Sequence, residues 1–293
     1  MGDNDEDDAP PGQIILAPQS LLAPIVLNSP HSGRCYSRAF LHQSRLEPLA
    51  LRRSEDAFID ELFAPCVAHG IPLLAATFPR AFVDVNREPF ELDPHMFSDR
   101  LPSYANTRSL RVAGGLGTIP RLVGDAQPIY RAPLTSAEAL DRIERWYRPY
   151  HAQLTRLVDE SLTAFGVCLV LDCHSMPSSA IESGKTDFVV GDRFGASAAP
   201  WMAECLTQEL NNRGYVVRRN KPYAGGFITE HYGDPTNGRH AIQIEINRAL
   251  YLDERRIEKS AGMAILTKDL FDVIGALAKT AASIGQTSSL AAE

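Results

Sequence analysis

The fold of this chain is decided by the stretch Val167-Cys168-Leu169-Val170-Leu171-Asp172-Cys173-His174-Ser175-Met176-Pro177-Ser178. Its apolar run stops abruptly at Asp172, and polar residues and a proline follow. A short apolar run bounded by turn residues predicts a strand that is buried on both faces. Because open α/β sheets place their chemistry at the carboxyl ends of strands, we expect Asp172, His174 and Ser175 to lie at an active site.

Length and composition are compatible with one large α/β domain. The chain has 293 residues, of which 44% are hydrophobic, enough for a substantial core. We predict a single α/β domain over residues 13–281, with a central mixed, mostly parallel sheet flanked by helices. Residues 1–12 are expected to form a disordered acidic tail, and residues 282–293 a flexible C-terminal tail.

Charge and cysteine content exclude several classes of partner. The formal net charge is −7, and the acidic residues at the N-terminus leave only −2 on the rest of the chain. Without a basic surface, nucleic acid is excluded as a partner. The five cysteines form no CxxC pair, and neither a signal peptide nor a long apolar span is present. The sequence therefore predicts a cytoplasmic protein with reduced thiols and no membrane association, and it leaves the oligomeric state unknown.

Apolar and polar patterning predicts the remaining elements. A second short strand at residues 25–27 leads into a turn-rich loop that carries His31. Further strands are predicted at residues 73–77, 82–86, 188–190, 215–217 and 241–246. Helices are predicted from Ser54 as N-cap to about His69, and over residues 136–165, 197–212 and 254–279, the second of them kinked at Pro149. Residues 88–117 are irregular and are expected to form a functional loop or lid.

Two histidines follow buried strands that we expect to be neighbours. The imidazoles of His31 and His174 could converge there, and a catalytic zinc ion takes three protein ligands. Glu55 and Asp56 are the candidates for the third ligand. Asp56 and Asp60 would share one helix face, which is repulsive unless a cation lies nearby. Alternatively, ordinary hydrogen bonds hold the two histidines, and the acidic residues only complement a helix dipole.

Other candidate residues each allow two interpretations. Glu245, between Ile244 and Ile246, is a general base or a solvent-facing residue of a half-exposed strand. Asp172 either orients the imidazole of His174 or ends a strand. Arg87 and Arg248 each follow an asparagine and could bind a carboxylate, although such arginines commonly form structural ion pairs.

Two further side chains, those of His231 and Cys173, are candidates for the active site. His231 faces substrate or caps a loop. Cys173 could be a nucleophile, but adjacent residues of an extended chain point to opposite faces, so it does not pair with His174 as its base.

In their order along the chain, these stretches resemble the N-formylglutamate amidohydrolase family. The matching segments span about residues 25–250 and are SPHSG at 29–33, EDAFIDELF at 55–63, VDVNR at 83–87, YRPYH at 147–151, DCHS at 172–175, GGFITEHYG at 225–233 and QIE at 243–245. The resemblance implies an α/β fold of the metallocarboxypeptidase and phosphorylase/hydrolase type. It also implies one Zn²⁺ per chain, and zinc-dependent hydrolysis of N-formyl-L-glutamate to glutamate and formate in histidine degradation.

The resemblance also implies roles for individual residues. The His-x-x-Glu pair of metallocarboxypeptidases is absent, because Arg34 stands at its last position. The expected zinc ligands are therefore His31, Asp56 and His174. Expected catalytic residues are Glu245 and Arg87, the expected substrate-binding residues are Asn86, Arg87, Thr229, His231 and Arg248, and the residues expected to support the ligands are Glu55, Asp172 and Ser175.

The substrate is expected to be a small anionic N-acyl amino acid. Two alternatives remain at this point. One is a hydrolase of other N-acyl amino acids or a carboxypeptidase-like peptidase with the same metal centre. The other is a binding protein that keeps the fold without turnover.

Overall fold

The computed structural model of this chain describes residues 11–180 and 186–290, without the side chains of residues 125 and 284–290. Within these residues the strands are β1 Gln13–Leu16, β2 Ile25–Ser29, β3 Leu73–Ala76, β4 Leu122–Val123, β5 Gln127–Pro128, β6 Cys168–Met176, β7 Phe188–Gly191, β8 Val217–Arg219, β9 Arg239–Asn247, β10 Leu252–Asp253 and β11 Glu258–Lys259. The α-helices are α1 Arg38–Gln43, α2 Pro48–Arg52, α3 Ile59–Phe63, α4 Leu110–Ala113, α5 Ser136–Arg142, α6 Arg148–Phe165, α7 Pro200–Asn212, α8 Phe227–Tyr232 and α9 Gly262–Leu290.

A seven-stranded sheet in the order β1-β3-β2-β6-β9-β7-β8 forms the centre of the protein. β2 pairs in parallel with β3 and β6, β6 with β9, and β7 with β8. β1 is antiparallel to β3, and β7 is antiparallel to β9. In this register Asn28 lies opposite Asp172, and His174 lies opposite Glu245. The predicted fold class, an α/β domain with a mixed, mostly parallel sheet, is confirmed.

Helices cover both faces of the sheet, and β6 divides its side chains between them. Leu169, Leu171 and Cys173 join the core that includes α3, α7 and α9. Cys168 and Val170 join the core that includes α5, α6 and α8. Cys173 therefore points away from its neighbour His174, and burial raises the pKa of its thiol well above the usual value. This placement argues against a cysteine nucleophile.

The helix predicted with Ser54 as its N-cap begins only at Ile59, with Phe58 at the N-cap position. This difference corrects the interpretation of Glu55 and Asp56. The Oγ of Ser54 donates to the carbonyl of Leu51 and caps no helix. The N–H of Asp56 donates to the carbonyl of His31, and Phe58 has a left-handed φ of 64° just before α3. Glu55 and Asp56 thus lie in a loop that is tied to the His31 loop, so a helix dipole does not explain them.

Other predicted boundaries also differ from the structure. Residues 82–86 form turns and irregular backbone instead of a strand, although residues 83–86 are all buried. The strand predicted at residues 215–217 is β8, shifted towards the C-terminus, and the helix predicted from residue 254 begins at Gly262, after the short β10–β11 pair. The helix predicted over residues 136–165 is divided into α5 and α6 by a π-helical turn at Ile143–Tyr147, and Pro149 lies in the first turn of α6.

The two predicted tails fall partly outside the described residues. Residues 1–10 of the acidic tail and residues 291–293 of the C-terminal tail are not described. Residues 282–290, which were predicted as part of the flexible C-terminal tail, belong to α9 instead. Among the described residues, no helix combines the length and the apolar character needed to span a lipid bilayer.

We predict that Leu171→Ala lowers the free energy of unfolding by about 2–5 kcal/mol, because it leaves a cavity at a fully buried position of the central strand. Leu110→Ala is the matched control, because this side chain is 93% exposed and its loss should change stability by less than about 0.5 kcal/mol. Urea denaturation followed by circular dichroism measures both values. Equal stabilities for the two variants would contradict the placement of β6 in the core.

Candidate metal centre

His31, Asp56 and His174 come together at the carboxyl ends of β2 and β6. His31 lies two residues after the end of β2. His174 is the third residue from the end of β6. Because β2 and β6 are parallel neighbours, both imidazoles reach the same edge of the sheet. The loop before α3 then brings Asp56 to them through its hydrogen bond to the His31 carbonyl, 2.9 Å long.

The carboxylate of Asp56 lies between the two imidazoles. Its Oδ2 is 2.9 Å from Nδ1 of His174 and 3.3 Å from Nδ1 of His31. The three side chains are buried, and their ligand atoms all lie within 4.8 Å of one another. Glu55 points elsewhere and bonds with Tyr36 and Arg52. The structure thus brings Asp56, and not Glu55, to the two histidines.

A second carboxylate contacts the outer nitrogen of each imidazole. Nε2 of His31 lies 2.7 Å from Oδ1 of Asp84, and Nε2 of His174 lies 2.8 Å from Oδ2 of Asp172. An ionised carboxylate only accepts hydrogen bonds, so each Nε2 carries a hydrogen. This pattern orients an imidazole so that its other nitrogen faces a metal ion, and it makes that nitrogen a better ligand.

One buried atom of the cluster lacks a hydrogen bond. Nδ1 of His31 is fully buried and has no hydrogen-bond partner among the described residues. Leaving a buried polar atom unpaired is costly, so a group that binds this nitrogen would stabilise the site. Two imidazole nitrogens and one carboxylate oxygen are a donor set that zinc commonly takes in catalytic sites. The residues therefore fit a divalent metal ion.

The electrostatics of the cluster also favour a positive charge. Burial alone would raise the pKa of Asp56, but the hydrogen bond with His174 and the positive charges of His174 and His31 lower it well below its usual range. Burial would lower the pKa of His174, but Asp172 and Asp56 raise it well above its usual value. The carboxylates of Asp56, Asp84 and Asp172 thus lie around the two imidazoles, an arrangement of negative charge that favours a cation between them.

Arg248 and Ser175 hold the other oxygen of Asp56. Nη2 of Arg248 lies 3.1 Å from Oδ1 of Asp56, and the Ser175 hydroxyl lies 3.3 Å from the same oxygen. The guanidinium of Arg248 also donates to Ser175 Oγ and to the carbonyls of Arg53 and Glu55. Arg248, which was predicted to bind substrate, thus has Nη1 and Nη2 engaged with the loop that carries Asp56 and Nε engaged with Ser175 of β6.

The cluster lies in a pocket of about 490 Å³ that Glu245 also lines. Glu245 is 8% exposed, and Nε2 of Gln243 donates to it over 2.8 Å. The interpretation of Glu245 as a solvent-facing residue is therefore wrong. Burial raises the pKa of Glu245 to about 7, against the lowering effect of the positive charges of His174, Arg80 and Arg248. A carboxyl group with this pKa can exchange a proton near neutral pH.

The pocket wall contains further predicted residues. Asn86 reaches the centre, where its Nδ2 is 3.1 Å from His174 Nε2, while its Oδ1 accepts from the N–H of Ile228 at the start of α8. Gly226 must be a glycine here, because a Cβ would lie 2.6 Å from the Asn86 amide. Thr229 and His231 do not line this pocket: Thr229 is buried in α8, and His231 is exposed.

Three pocket residues were missed in the sequence. Asp84 belongs to the VDVNR segment but was not predicted as a site residue. Its position two residues before Asn86, a predicted substrate-binding residue, was a signal that could have identified it. Arg80 donates to Asp84 over 2.7 Å, and Arg111 lines the same wall. Nothing in their sequence surroundings distinguishes these two arginines from surface residues.

We predict that Asp56→Asn weakens zinc binding by more than roughly a hundredfold, because the amide lacks the charge of the carboxylate that faces both imidazoles. Glu55→Gln is the matched control: it alters the neighbouring buried carboxyl and should leave zinc affinity unchanged. Competition with a chromophoric chelator measures both affinities, and thermal melting checks the fold. If Asp56→Asn bound zinc as tightly as the unmodified protein, the ligand assignment would be wrong.

Comparisons with known proteins agree with this geometry. The sequence model of the N-formylglutamate amidohydrolase family matches residues 23–252. The N-formylglutamate deformylase of Pseudomonas putida is 31% identical over 237 residues, which cover 79% of this chain and 82% of that protein. The corresponding protein of Pseudomonas aeruginosa is 28% identical over 242 residues, which cover 79% and 83%.

Solved structures share the fold. The crystal structure of N-formylglutamate amidohydrolase from Ralstonia eutropha JMP134 superposes with a TM-score of 0.87 at 37% identity and covers 92% of this chain and 98% of that one. The gene product Atu2144 of Agrobacterium tumefaciens superposes with a TM-score of 0.57 at 17% identity, over 94% and 97% of the two chains, and shows the fold alone. The chain therefore belongs to the N-formylglutamate amidohydrolase family and is an amidohydrolase.

Proposed function

We propose that this enzyme hydrolyses the N-formyl amide of N-formyl-L-glutamate and releases formate and glutamate, with zinc as its metal. The observation that carries the proposal is the buried His31–Asp56–His174 cluster beside the buried carboxyl of Glu245, in a pocket that is lined by arginines. The deformylases of the two Pseudomonas species support the choice of substrate. A place in histidine degradation and a cytoplasmic location stay predictions.

The metal site would be formed by His31, Asp56 and His174. A zinc ion bound there supplies a Lewis acid and lowers the pKa of water towards about 7. Asp84 and Asp172 keep the two imidazoles in the orientation that this requires, through their contacts with the outer nitrogens. Arg248 and Ser175 fix the oxygen of Asp56 that faces away from the histidines.

Glu245 acts as general base and then as general acid. It takes a proton from the attacking water as the new C–O bond forms at the formyl carbon. It returns that proton to the nitrogen as the C–N bond breaks, so that formate and an amine leave. A pKa of about 7 suits both transfers near neutral pH. The bond from Gln243 holds one carboxyl oxygen and so fixes the direction of the other.

Arginines provide the positive charge that the substrate requires. Arg80 lies against Asp84, close enough for its charge to act on Asp56 and Glu245, and would stabilise the negative charge that develops on the formyl oxygen. Arg87, with Asn86 beside it, would bind the α-carboxylate. We assign Arg248 to holding Asp56, because its Nη2 donates to that carboxylate. We assign no role to Thr229 or His231, which do not line the pocket.

We predict that protein purified without a metal-affinity tag contains about one zinc per chain and releases formate from N-formyl-L-glutamate. Elemental analysis and a formate dehydrogenase assay measure the two quantities. N-acetyl-L-glutamate and a dipeptide that ends in glutamate serve as comparison substrates. Zinc with turnover of only the acetyl substrate or the dipeptide would overturn the formyl assignment, and failure to bind any divalent metal would overturn the proposal.

We also predict that Glu245→Gln lowers kcat by roughly 10²–10⁴-fold, because the amide cannot accept the proton of water. Zinc content should stay unchanged, since Glu245 is not one of the proposed ligands. Glu258→Gln, which makes the same change at an exposed position in β11, is the matched control and should keep full activity. Loss of zinc from Glu245→Gln, or unchanged kcat, would contradict the role of general base.

A further inference from the structure

Among the arginines of the pocket wall, Arg53 and Arg111 have no part in the proposed mechanism, and Arg111 is the one that meets Arg87. Arg80, Arg87 and Arg111 all line the pocket near Asp84. Arg80 lies 2.7 Å and Arg87 3.5 Å from Oδ2 of this carboxylate. Among the described residues, Arg111 forms no ion pair. Within the same part of the chain, its guanidinium makes one hydrogen bond, from Nη1 to the carbonyl of Asn86, and this bond is 3.5 Å long.

Arg111 is a direct neighbour of Arg87. Nη1 of Arg87 donates to the same Asn86 carbonyl over 2.7 Å, so the two guanidinium groups meet at one oxygen. Burial, together with the charges of Arg80 and Arg111, lowers the pKa of Arg87 to about 10. Guanidinium groups that repel one another at a pocket wall would be stabilised by an anionic ligand with more than one negative charge.

The loop around Arg111 is built to hold this arginine in place. The Arg111 carbonyl accepts from the N–H of Leu116, and the Leu116 carbonyl accepts from Nε of Arg87, each over 2.8 Å. Gly117 passes so close to Glu91 that a Cβ would lie 2.1 Å from its carbonyl oxygen. Backbone bonds therefore fix α4 against Arg87, although this segment has little regular structure.

The chemistry of the substrate indicates which of its two carboxylates Arg87 and Arg111 would each bind. The α-carboxylate is attached to the carbon that bears the scissile amide nitrogen, so it must lie near the metal centre. Arg87 is the nearer arginine, since it contacts Asp84, which itself contacts His31. The side-chain carboxylate of a glutamate lies two methylene groups beyond the α-carbon. Arg111, which meets Arg87 at the Asn86 carbonyl and has no carboxylate partner among the described residues, is the arginine placed beside the proposed α-carboxylate site.

We propose that Arg111 binds the side-chain carboxylate of the substrate and gives the enzyme its preference for acidic over neutral N-formyl amino acids. This inference rests on the proposed deformylase function. Arg111 would be a specificity residue: it contacts the substrate at a distance from the reacting atoms and takes no part in the proton transfers.

The test compares Arg111→Gln with the unmodified enzyme on N-formyl-L-glutamate and on N-formyl-L-glutamine, which has the same shape without the charge. For N-formyl-L-glutamate, kcat/KM should fall by roughly a hundredfold, mainly through KM, because a charge-assisted hydrogen-bonded pair is lost. For N-formyl-L-glutamine, it should change by less than about threefold. Arg108→Gln is the matched control, because it removes the same charge from an exposed position on the same segment outside the pocket.

The outcomes separate this inference from the proposed function. If the unmodified enzyme releases no formate from either substrate, the proposed function is wrong. If it is active and Arg111→Gln loses the same factor on both substrates, Arg111 supports the fold or the reaction and does not read the side chain. If Arg111→Gln keeps the full preference for N-formyl-L-glutamate, another group binds the side-chain carboxylate. Either of the last two results overturns the inference while the deformylase assignment stands.

Discussion

The site depends on the carboxylate of Asp56 and its two opposite sets of contacts. Oδ2 faces the Nδ1 atoms of His31 and His174, and Oδ1 is held by Arg248 and Ser175. All of these groups are buried, and a buried charge without partners would cost several kcal/mol. Arg248 fixes the carboxylate from one side, so that the histidines on the other side can converge on a single cation.

The sheet supplies this arrangement through its register and its two faces. The pairing of β2 with β6 and of β6 with β9 brings Asp172, His174, Gln243 and Glu245 to one face at the carboxyl ends. On the opposite face the same strands carry Leu171, Cys173, Ile242, Ile244 and Ile246 into an apolar core. A shift of one residue would exchange the two sets of side chains, so the apolar core also keeps the polar residues in register.

The sequence predicted the parts of the site that depend on strands. The apolar runs of β2 and β6 lead into polar residues, and this pattern located His31 and His174 at one edge of a sheet. Glu245 was a candidate because it is a charged residue between two isoleucines of a strand. Asp56, which was preferred to Glu55 as the third ligand, lies beside the two histidines, but in a loop and not in the predicted helix, which begins only at Ile59. Residues 82–86 were predicted as a strand but do not pair with another strand. Instead the N–H of Asp84 donates to the Thr118 carbonyl, and the N–H of Asn86 donates to the carboxylate of Asp84.

Arginine positions could not be predicted in the same way. A long, flexible side chain reaches its target from many backbone positions, so Arg80 and Arg111 give no local signal. Arg248 was assigned to the substrate because it follows a strand, yet its Nη1 and Nη2 contact a loop nearly two hundred positions earlier in the chain and its Nε contacts Ser175. Contacts between distant loops decide such roles, and only the folded chain shows them.

The most direct measurement is anomalous diffraction at the zinc absorption edge from crystals of the protein loaded with one equivalent of zinc. A single peak among His31, Asp56 and His174, with bond lengths of about 2.0–2.2 Å, is the predicted result. A peak elsewhere, or no peak at this cluster, would contradict the metal centre on which the proposed reaction depends.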